Sequence, residues 1–345
     1  MKTAILKSAT ILSALVFSLT TGNAQASTDS DPNLHTRIKS FLHVLNSSGA
    51  KPLETLSPKD ARAVLTGAQS SVKVDLSGIE ESEKTITQDG LTIKLNIVRP
   101  AGVKGALPVF MYFHGGGWIL GDFFTHERLV RDLVVNSGAE AVFVNYTPSP
   151  EAQYPVAINQ AYAATKWVAE HGKEINADSK RLAVAGNSVG GNMAAVVALM
   201  AKDKKGPEIK LQVLLWPVTN ANFDTESYLK FASDRFLTRN MMIWFWNSYL
   251  PDASKRSDIY ASPLQATKEQ LAGLPPALVQ VAENDVLHDE GVAYGRKMDA
   301  AGVDVTISDY KGLIHDYGLL NPIATVPAVQ SAMLQAGAQL KKFLF

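Results

Sequence analysis

Short apolar runs alternate with longer amphipathic stretches through most of the chain after residue 100. The runs are rich in β-branched and aromatic residues, as buried strands are. The longer stretches repeat their apolar residues at helical spacing. This alternation predicts an α/β fold with a mostly parallel sheet and helices on both faces. The predicted strands are 108–113, 141–145, 181–185, 209–215, 277–282 and 303–308, and the predicted helices are 157–170, 193–202, 290–301 and 326–343.

Other patterns come before this alternation. Apolar residues at helical spacing predict a helix over 34–46. Ser57-Pro58-Lys59-Asp60 has the N-cap, first-turn proline and acidic third position of a helix start. Further along, 85–87 and 91–98 flank Gln88-Asp89-Gly90, which predicts a hairpin.

Residues 217–276 interrupt the alternation. This segment carries many aromatic side chains, among them Phe245 and Trp246, and has no strand-like run. We interpret most of it as a helical insertion over the carboxyl edge of the sheet.

The first 26 residues have the pattern of a secretory signal peptide. Lys2 and Lys7 give a positive start, 9–19 is apolar, and Ala24-Gln25-Ala26 places small residues where a signal peptidase cuts. A spanning helix needs about 20 apolar residues, so this run is too short for a membrane anchor. The sequence predicts cleavage after Ala26 and a periplasmic or secreted single domain over 27–345.

The composition is that of a globular protein and narrows the classes of partner. Hydrophobic residues make up 46% of the chain and charged residues 19%, which suits a large core. The 33 basic and 33 acidic residues leave no basic surface for a nucleic acid. Without cysteine, the chain has no disulfide, thiolate metal site or cysteine nucleophile. We expect no cofactor, metal, nucleic-acid partner or membrane span, and the composition leaves monomer and homodimer open.

Gly186-Asn187-Ser188-Val189-Gly190 lies between a predicted strand and a predicted helix. Ligands of doubly wound sheets bind at the carboxyl ends of strands, which is where this segment falls. Glycines on both sides of Ser188 match G-x-S-x-G, the sharp turn that exposes a nucleophilic serine. Taken alone, the pentapeptide also fits a flexible turn in which the hydroxyl has no role.

A nucleophilic serine needs a base and an acid that orients the base. His315 follows the last predicted strand at the catalytic edge, and Asp285 closes the preceding one, so the chain order is Ser, Asp, His. We favour Asp285 over Glu283, Asp289 and Glu290 as the acid; the last two fit a helix start. We expect His35, His43 and His171 to lie on helix surfaces and His126 to lie at a helix start. For His114 we expect a structural role, and for His288 a pocket-rim or structural role.

The stretch His114-Gly115-Gly116-Gly117-Trp118 follows another predicted strand. Consecutive glycines let backbone N–H groups point into a cavity, where they can stabilise an oxyanion. A phosphate-binding loop is the alternative, but neither the following Lys-Ser/Thr nor the dinucleotide spacing is present.

Five motifs follow one another in an order typical of one enzyme family. From about Leu91 to the C-terminus, the chain resembles the hormone-sensitive-lipase-like esterases of the α/β-hydrolases. Five matches in order are far more specific than any one alone. The motifs are HGGGW at 114–118, GDFFTHE at 121–127, GNSVGGN at 186–192, AENDVLHDEG at 282–291 and GLIH at 312–315.

This resemblance implies an α/β-hydrolase fold with a Ser–His–Asp triad. Ser188 would be the nucleophile, His315 the base and Asp285 the orienting acid. The oxyanion donors would be the N–H groups of Gly116, Gly117 and Val189.

The family also has a cap over the site, which here corresponds to about 30–72 and 219–262. The implied activity is hydrolysis of small esters with short to medium acyl chains, through an acyl-enzyme. A deacetylase, lactonase or amidase with the same triad remains an alternative, as does a ligand-binding protein of the same fold.

Two segments depart from the family pattern. The serine motif is commonly Gly-Asp-Ser-Ala-Gly, but this chain has Asn187 and Val189. After Asp285 the family often has Pro-Leu-Arg, where this chain has Val286-Leu287-His288. None of these departures removes a catalytic atom, so they leave open the shape of the acyl pocket and the turnover but not the reaction class.

Overall fold

The computed structural model describes residues 28–345, so the predicted signal peptide lies outside the described residues. The strands are β1 (Ile79–Gln88), β2 (Leu91–Pro100), β3 (Leu107–Phe113), β4 (Glu140–Asn145), β5 (Ala177–Asn187), β6 (Gln212–Leu215), β7 (Ala277–Asn284) and β8 (Val305–Ile314). The α-helices are α1 (Thr36–Ser47), α2 (Pro58–Ser70), α3 (Phe123–Ser137), α4 (Val156–His171), α5 (Val189–Asp203), α6 (Glu226–Lys230), α7 (Arg239–Tyr249), α8 (Lys268–Leu271), α9 (His288–Asp299) and α10 (Pro327–Leu344).

The strands form one sheet in the order β1-β2-β4-β3-β5-β6-β7-β8. β2 runs antiparallel to both of its neighbours, β1 and β4. The other neighbouring strands, from β4 across the sheet to β8, are parallel to one another. This confirms the predicted α/β fold, including the hairpin formed by β1 and β2. β8 is longer than the predicted 303–308, because it is an edge strand whose exposed polar residues continue beyond the apolar run. Across residues 28–345, no helix has the length and apolar character needed to cross a membrane.

The sheet separates two hydrophobic cores. Val109, Met111 and Phe113 of β3 face one core, and Phe110 and Tyr112 face the other, as the alternation of side chains along a strand requires. Helices α4, α5 and α9 cover the first core, and α1, α3 and α10 cover the second. Because both faces of β3 are buried, the strand has a continuous apolar run.

The insertion after β6 contains less helix than the sequence predicts. Over 217–276 the α-helices are α6, α7 and α8, and turns and irregular chain connect them. Pro251 lies just beyond the end of α7, where a proline cannot continue the helix, and the Asn- and Asp-rich stretch 220–224 favours turns. Three aromatic residues of α7, Phe245, Trp246 and Tyr249, are nevertheless buried, because they pack on the loop that follows β3.

The N-terminal segment and the insertion contact each other above the carboxyl edge of the sheet. The guanidinium of Arg235 lies 2.6 Å from the carboxylate of Asp31 in a buried ion pair. The rings of Phe41 and Phe236 lie 6.3 Å apart. Two parts of the chain separated by about 200 residues are therefore joined by a charge pair and an aromatic contact.

The buried ion pair predicts a stability effect. Asp31→Ala leaves the Arg235 side chain, which is 2% exposed, without its carboxylate. We expect urea denaturation to show a free energy of unfolding lower by about 3 kcal/mol, the order found when one partner of a buried pair is removed. Glu208→Ala breaks the exposed pair with Lys210 and serves as the control, with no measurable change expected. Equal stability of the two variants would contradict the prediction.

Candidate active site

Ser188 lies in a strained turn between β5 and α5. Its backbone has φ 55° and ψ −121°, a combination that residues with a side chain rarely adopt. A Cβ on Gly186 would collide with the carbonyl oxygen of Gly190, and a Cβ on Gly190 would collide with that of Phe113. Glycine at both positions therefore permits the close approach of β3, β5 and α5 that holds Ser188 at the sheet edge.

The structure brings Ser188, His315 and Asp285 together from three different loops. Nε2 of His315 lies 3.0 Å from Oγ of Ser188, and Nδ1 lies 2.7 Å from Oδ2 of Asp285. The other oxygen of Asp285 accepts from the N–H of Leu287 at 3.0 Å. All three side chains are buried, so a continuous hydrogen-bonded path runs from the hydroxyl to the carboxylate.

The surroundings of His315 favour its charged form. Burial alone lowers the pKa of His315, but the carboxylates of Asp285 and Asp316 outweigh it, so the pKa lies above its ordinary value. Asp285 accepts from Nδ1–H, and in the neutral ring this leaves the lone pair on Nε2, facing Ser188. The arrangement can accept a proton from the hydroxyl and stabilise the resulting imidazolium.

Two of the other carboxylates considered as the acid, Glu283 and Asp289, accept hydrogen bonds from backbone N–H groups. Glu283 accepts from the N–H of Gly312 at 2.8 Å. Asp289 accepts from the N–H of Ser227, also at 2.8 Å. Both bonds hold segments next to the site and leave Asp285 as the carboxylate bonded to the imidazole.

The side chain of Glu290 is buried, whereas the sequence predicts only that this residue belongs to a helix start. Its Oε1 accepts from the N–H groups of Thr219 and Asn220, at 2.6 and 3.1 Å. Burial raises the pKa of Glu290 to about 8. The side chain thus anchors the first residues of the insertion. Its burial depends on contacts across about 70 positions, and its local sequence carries no signal of them.

The glycine loop after β3 presents free backbone donors beside Ser188. Gly116 and Gly117 have φ values of 99° and 64°, and a Cβ on Gly117 would enter the ring of Phe245. Within residues 28–345, the N–H groups of Gly116, Gly117 and Val189 donate no hydrogen bond. These three donors can therefore bind an oxygen that carries negative charge.

His114 braces this loop, as the sequence predicts. Its Nδ1 lies 2.8 Å from the carbonyl oxygen of Gly115, and its ring stacks on Tyr146 at 4.1 Å. Burial lowers the pKa of His114 to about 4, so the ring is neutral at ordinary pH. His288 pairs with Asp289, and His126 is buried in α3. Among the described residues, no group of three or more His, Asp or Glu side chains is arranged to hold a metal ion.

The structure also contains a buried polar cluster behind Ser188 that the sequence did not predict. Asn187 accepts from the hydroxyl of Tyr112 and from the N–H of Gly115, both at 2.9 Å. It also donates to Asp316, which accepts from the indole N–H of Trp216. One signal was available, because an aspartate directly follows His315 within an otherwise apolar stretch.

Named esterases are among the proteins that this chain resembles. Carboxylesterase NlhH of Mycobacterium tuberculosis is 38% identical over 265 residues, which cover 76% of this chain and 82% of that protein. The crystal structure of a thermostable esterase from Pseudomonas putida has a TM-score of 0.91 and 67% identity, covering 91% of this chain and 99% of that one. A fungal esterase structure from Rhizomucor miehei has a TM-score of 0.85 and 38% identity, with 90% and 97% of the two chains covered.

The family model covers the part of the chain that builds the site. A model described as the alpha/beta hydrolase fold matches residues 110–319. This stretch begins in β3 and includes Ser188, Asp285 and His315. The chain therefore belongs to the α/β-hydrolase family.

Proposed function

We propose that this chain is a serine carboxylesterase of the hormone-sensitive-lipase-like branch, acting on esters with short to medium acyl chains. The chain is a carboxylic ester hydrolase, the class to which its named relatives belong. The observation that carries the proposal is the hydrogen-bonded path from Ser188 through His315 to Asp285. A free hydroxyl nucleophile needs such a base and such an orienting acid.

Acylation begins at Ser188. Nε2 of His315 takes the hydroxyl proton while Oγ forms a bond to the carbonyl carbon of the ester. The imidazolium is then stabilised by Asp285, which remains ionised. His315 donates the proton to the leaving alcohol, the C–O bond of the ester breaks, and the acyl group stays on Ser188.

The backbone donors act on the tetrahedral intermediate. As Oγ attacks, the carbonyl oxygen becomes an oxyanion, and the N–H groups of Gly116, Gly117 and Val189 stabilise it. The donors are held by left-handed glycines and by the start of α5, so they require little reorganisation during the reaction. Water then attacks the acyl-enzyme with His315 again as the base, which releases the acid and restores Ser188.

The N-terminal segment and the insertion form the proposed cap. Phe245 of the insertion packs directly on Gly117, and Trp246 and Tyr249 bury Trp118. Apolar aromatic walls this close to the oxyanion donors favour a small acyl group and leave little room for a long chain. The ion pair between Asp31 and Arg235 joins the two parts of this cap.

We propose export to the periplasm or the medium. The support is the pattern of residues 1–26, with its basic start, apolar run and small residues before the cut. The absence of cysteine is compatible with an oxidising compartment, since no thiol is available for unwanted oxidation.

Ser188→Ala tests the nucleophile. Against p-nitrophenyl esters from acetate to palmitate, we expect the mature protein to act best on short chains and Ser188→Ala to lose at least about 10⁴-fold in kcat. Ser70→Ala, an exposed serine at the end of α2, should keep full activity. Retained activity in Ser188→Ala would overturn the mechanism. A higher kcat/KM for amides or lactones than for esters would reassign the substrate class.

Gly117→Ala tests the oxyanion donors. The added Cβ would meet the ring of Phe245 in a left-handed conformation, so the loop must move. We expect kcat to fall by roughly 10²-fold or more, as for the loss of one oxyanion donor. Gly273→Ala is the matched control, because it has a similar φ of 78° with no atom within 4 Å of the new Cβ. An unchanged kcat in Gly117→Ala would count against the role of this loop.

Expression of the full chain in a bacterial host tests export. We expect protein recovered from the periplasm or medium to begin at Ser27 by N-terminal sequencing. A chain without residues 1–26 should stay in the cytoplasm and keep its esterase activity. Full-length protein that retains Met1 in the cytoplasm would refute the proposed localisation.

A further inference from the structure

Asp316 directly follows His315 and is buried beside it. Its side chain is 8% exposed, and its backbone has a φ of 57°, in the left-handed region. Its carbonyl oxygen accepts from the N–H groups of Leu319 and Leu320, at 2.8 and 2.9 Å. This turn ends β8 and holds the carboxyl group of Asp316 against the serine elbow.

One carboxylate oxygen of Asp316 links three strand ends. Oδ1 accepts from Nδ2 of Asn187 at 3.0 Å and from Nε1 of Trp216 at 2.8 Å. Asn187 is the last residue of β5, Trp216 follows β6, and Asp316 lies just beyond β8. The loop that carries His315 is therefore bonded to the strand end that carries Ser188.

The amide of Asn187 suits this arrangement and a carboxylate would not. Its Oδ1 accepts from Tyr112 and Gly115, while its Nδ2 donates to Asp316. An ionised carboxylate only accepts, so the aspartate common at position 187 in the family would face Asp316 with like charge at about this distance. The pair of Asn187 and Asp316 thus explains one departure of this chain from the family pattern.

The second oxygen of Asp316 faces the catalytic base. Its Oδ2 lies 3.9 Å from Nε2 of His315, too far for a hydrogen bond but close for a buried charge. Asp285 faces the other ring nitrogen. Burial keeps Tyr112 neutral by raising its pKa well above the ordinary value, and Arg128 donates to the carbonyl oxygens of Gly318 and Leu319. The imidazole thus lies between two carboxylates.

We propose that Asp316 is a positioning residue of this active site. Through Asn187 and Trp216 it holds the loop of His315 against the serine elbow, and its charge beside Nε2 stabilises the imidazolium that forms during catalysis. This inference rests on the proposed function, since it assigns His315 as the base.

The direction of the electrostatic effect follows from the site. Burial lowers the pKa of His315, and the carboxylates of Asp285 and then Asp316 raise it. Without the charge of Asp316, the pKa of His315 should fall, so the base stays unprotonated to lower pH. The acid limb of kcat/KM, which reports this group in the free enzyme, should then move to lower pH.

Asp316→Asn removes the charge and keeps an oxygen that can accept from Asn187 and Trp216. We expect the acid limb of kcat/KM for p-nitrophenyl acetate to move down by about one pH unit or more, as for a charge within about 4–6 Å. Asp304→Asn, an exposed carboxylate at the opposite end of β8, is the control and should leave the limb in place. A limb that does not move in Asp316→Asn would overturn the electrostatic role, even if the variant is less stable.

Asn187→Asp tests the positioning role. It places a second carboxylate against Asp316 in place of a donor, so we expect a lower Tm. Adding Asp316→Asn removes the repulsion, so the double variant should regain part of the Tm. If Asp316→Asn lowers Tm equally in the unchanged chain and in the Asn187→Asp variant, the two positions are uncoupled and the positioning role is refuted.

Ser188→Ala separates failure of this inference from failure of the proposed function. Full activity in Ser188→Ala would refute the mechanism itself. An inactive Ser188→Ala together with an unmoved acid limb in Asp316→Asn would refute only the electrostatic role of Asp316.

Discussion

The close approach of three backbone segments at the serine elbow is the constraint on which the site depends. A side chain on Gly186 or Gly190 would collide with a neighbouring carbonyl oxygen, so β3, β5 and α5 meet only because both residues are glycine. That contact holds Ser188 in its strained conformation and places the first N–H of α5 beside the hydroxyl. It also sets the distance to the glycine loop, which begins directly after β3.

Buried carboxyl groups are the second constraint at this edge. Asp285, Glu290 and Asp316 are all almost fully buried, and burial of a carboxylate is costly unless donors satisfy it. Asp285 is bonded to His315 and a backbone N–H, Glu290 to two backbone N–H groups, and Asp316 to an amide and an indole. These bonds hold the buried carboxyl groups in place and also lock the loops that contain them. The same contacts therefore serve the stability of the loops and the geometry of the site.

In the proposed cap, the insertion and the N-terminal segment lie over the edge that the strands leave open. The insertion contacts the glycine loop through Phe245, Trp246 and Tyr249, which also complete the first hydrophobic core. Because Phe245 occupies the space where Gly117 would carry a side chain, the shape of the proposed cap and the shape of the glycine loop depend on each other. We therefore expect changes in the proposed cap to affect catalysis as well as the size of substrate that the site accepts.

The sequence by itself determined the α/β class, most strand positions and the residues of the serine, histidine and aspartate loops. Apolar periodicity, glycine spacing and chain order are local properties, and they follow directly from backbone geometry. Only the tertiary structure decided that Glu290 is buried, that Asp316 faces His315 and that the insertion is mostly non-helical. Those features depend on contacts between residues far apart in the chain, such as Asn187 with Asp316. Burial and hydrogen bonding at that range leave no periodic pattern in the sequence, because they arise only when separate strand ends meet at one edge.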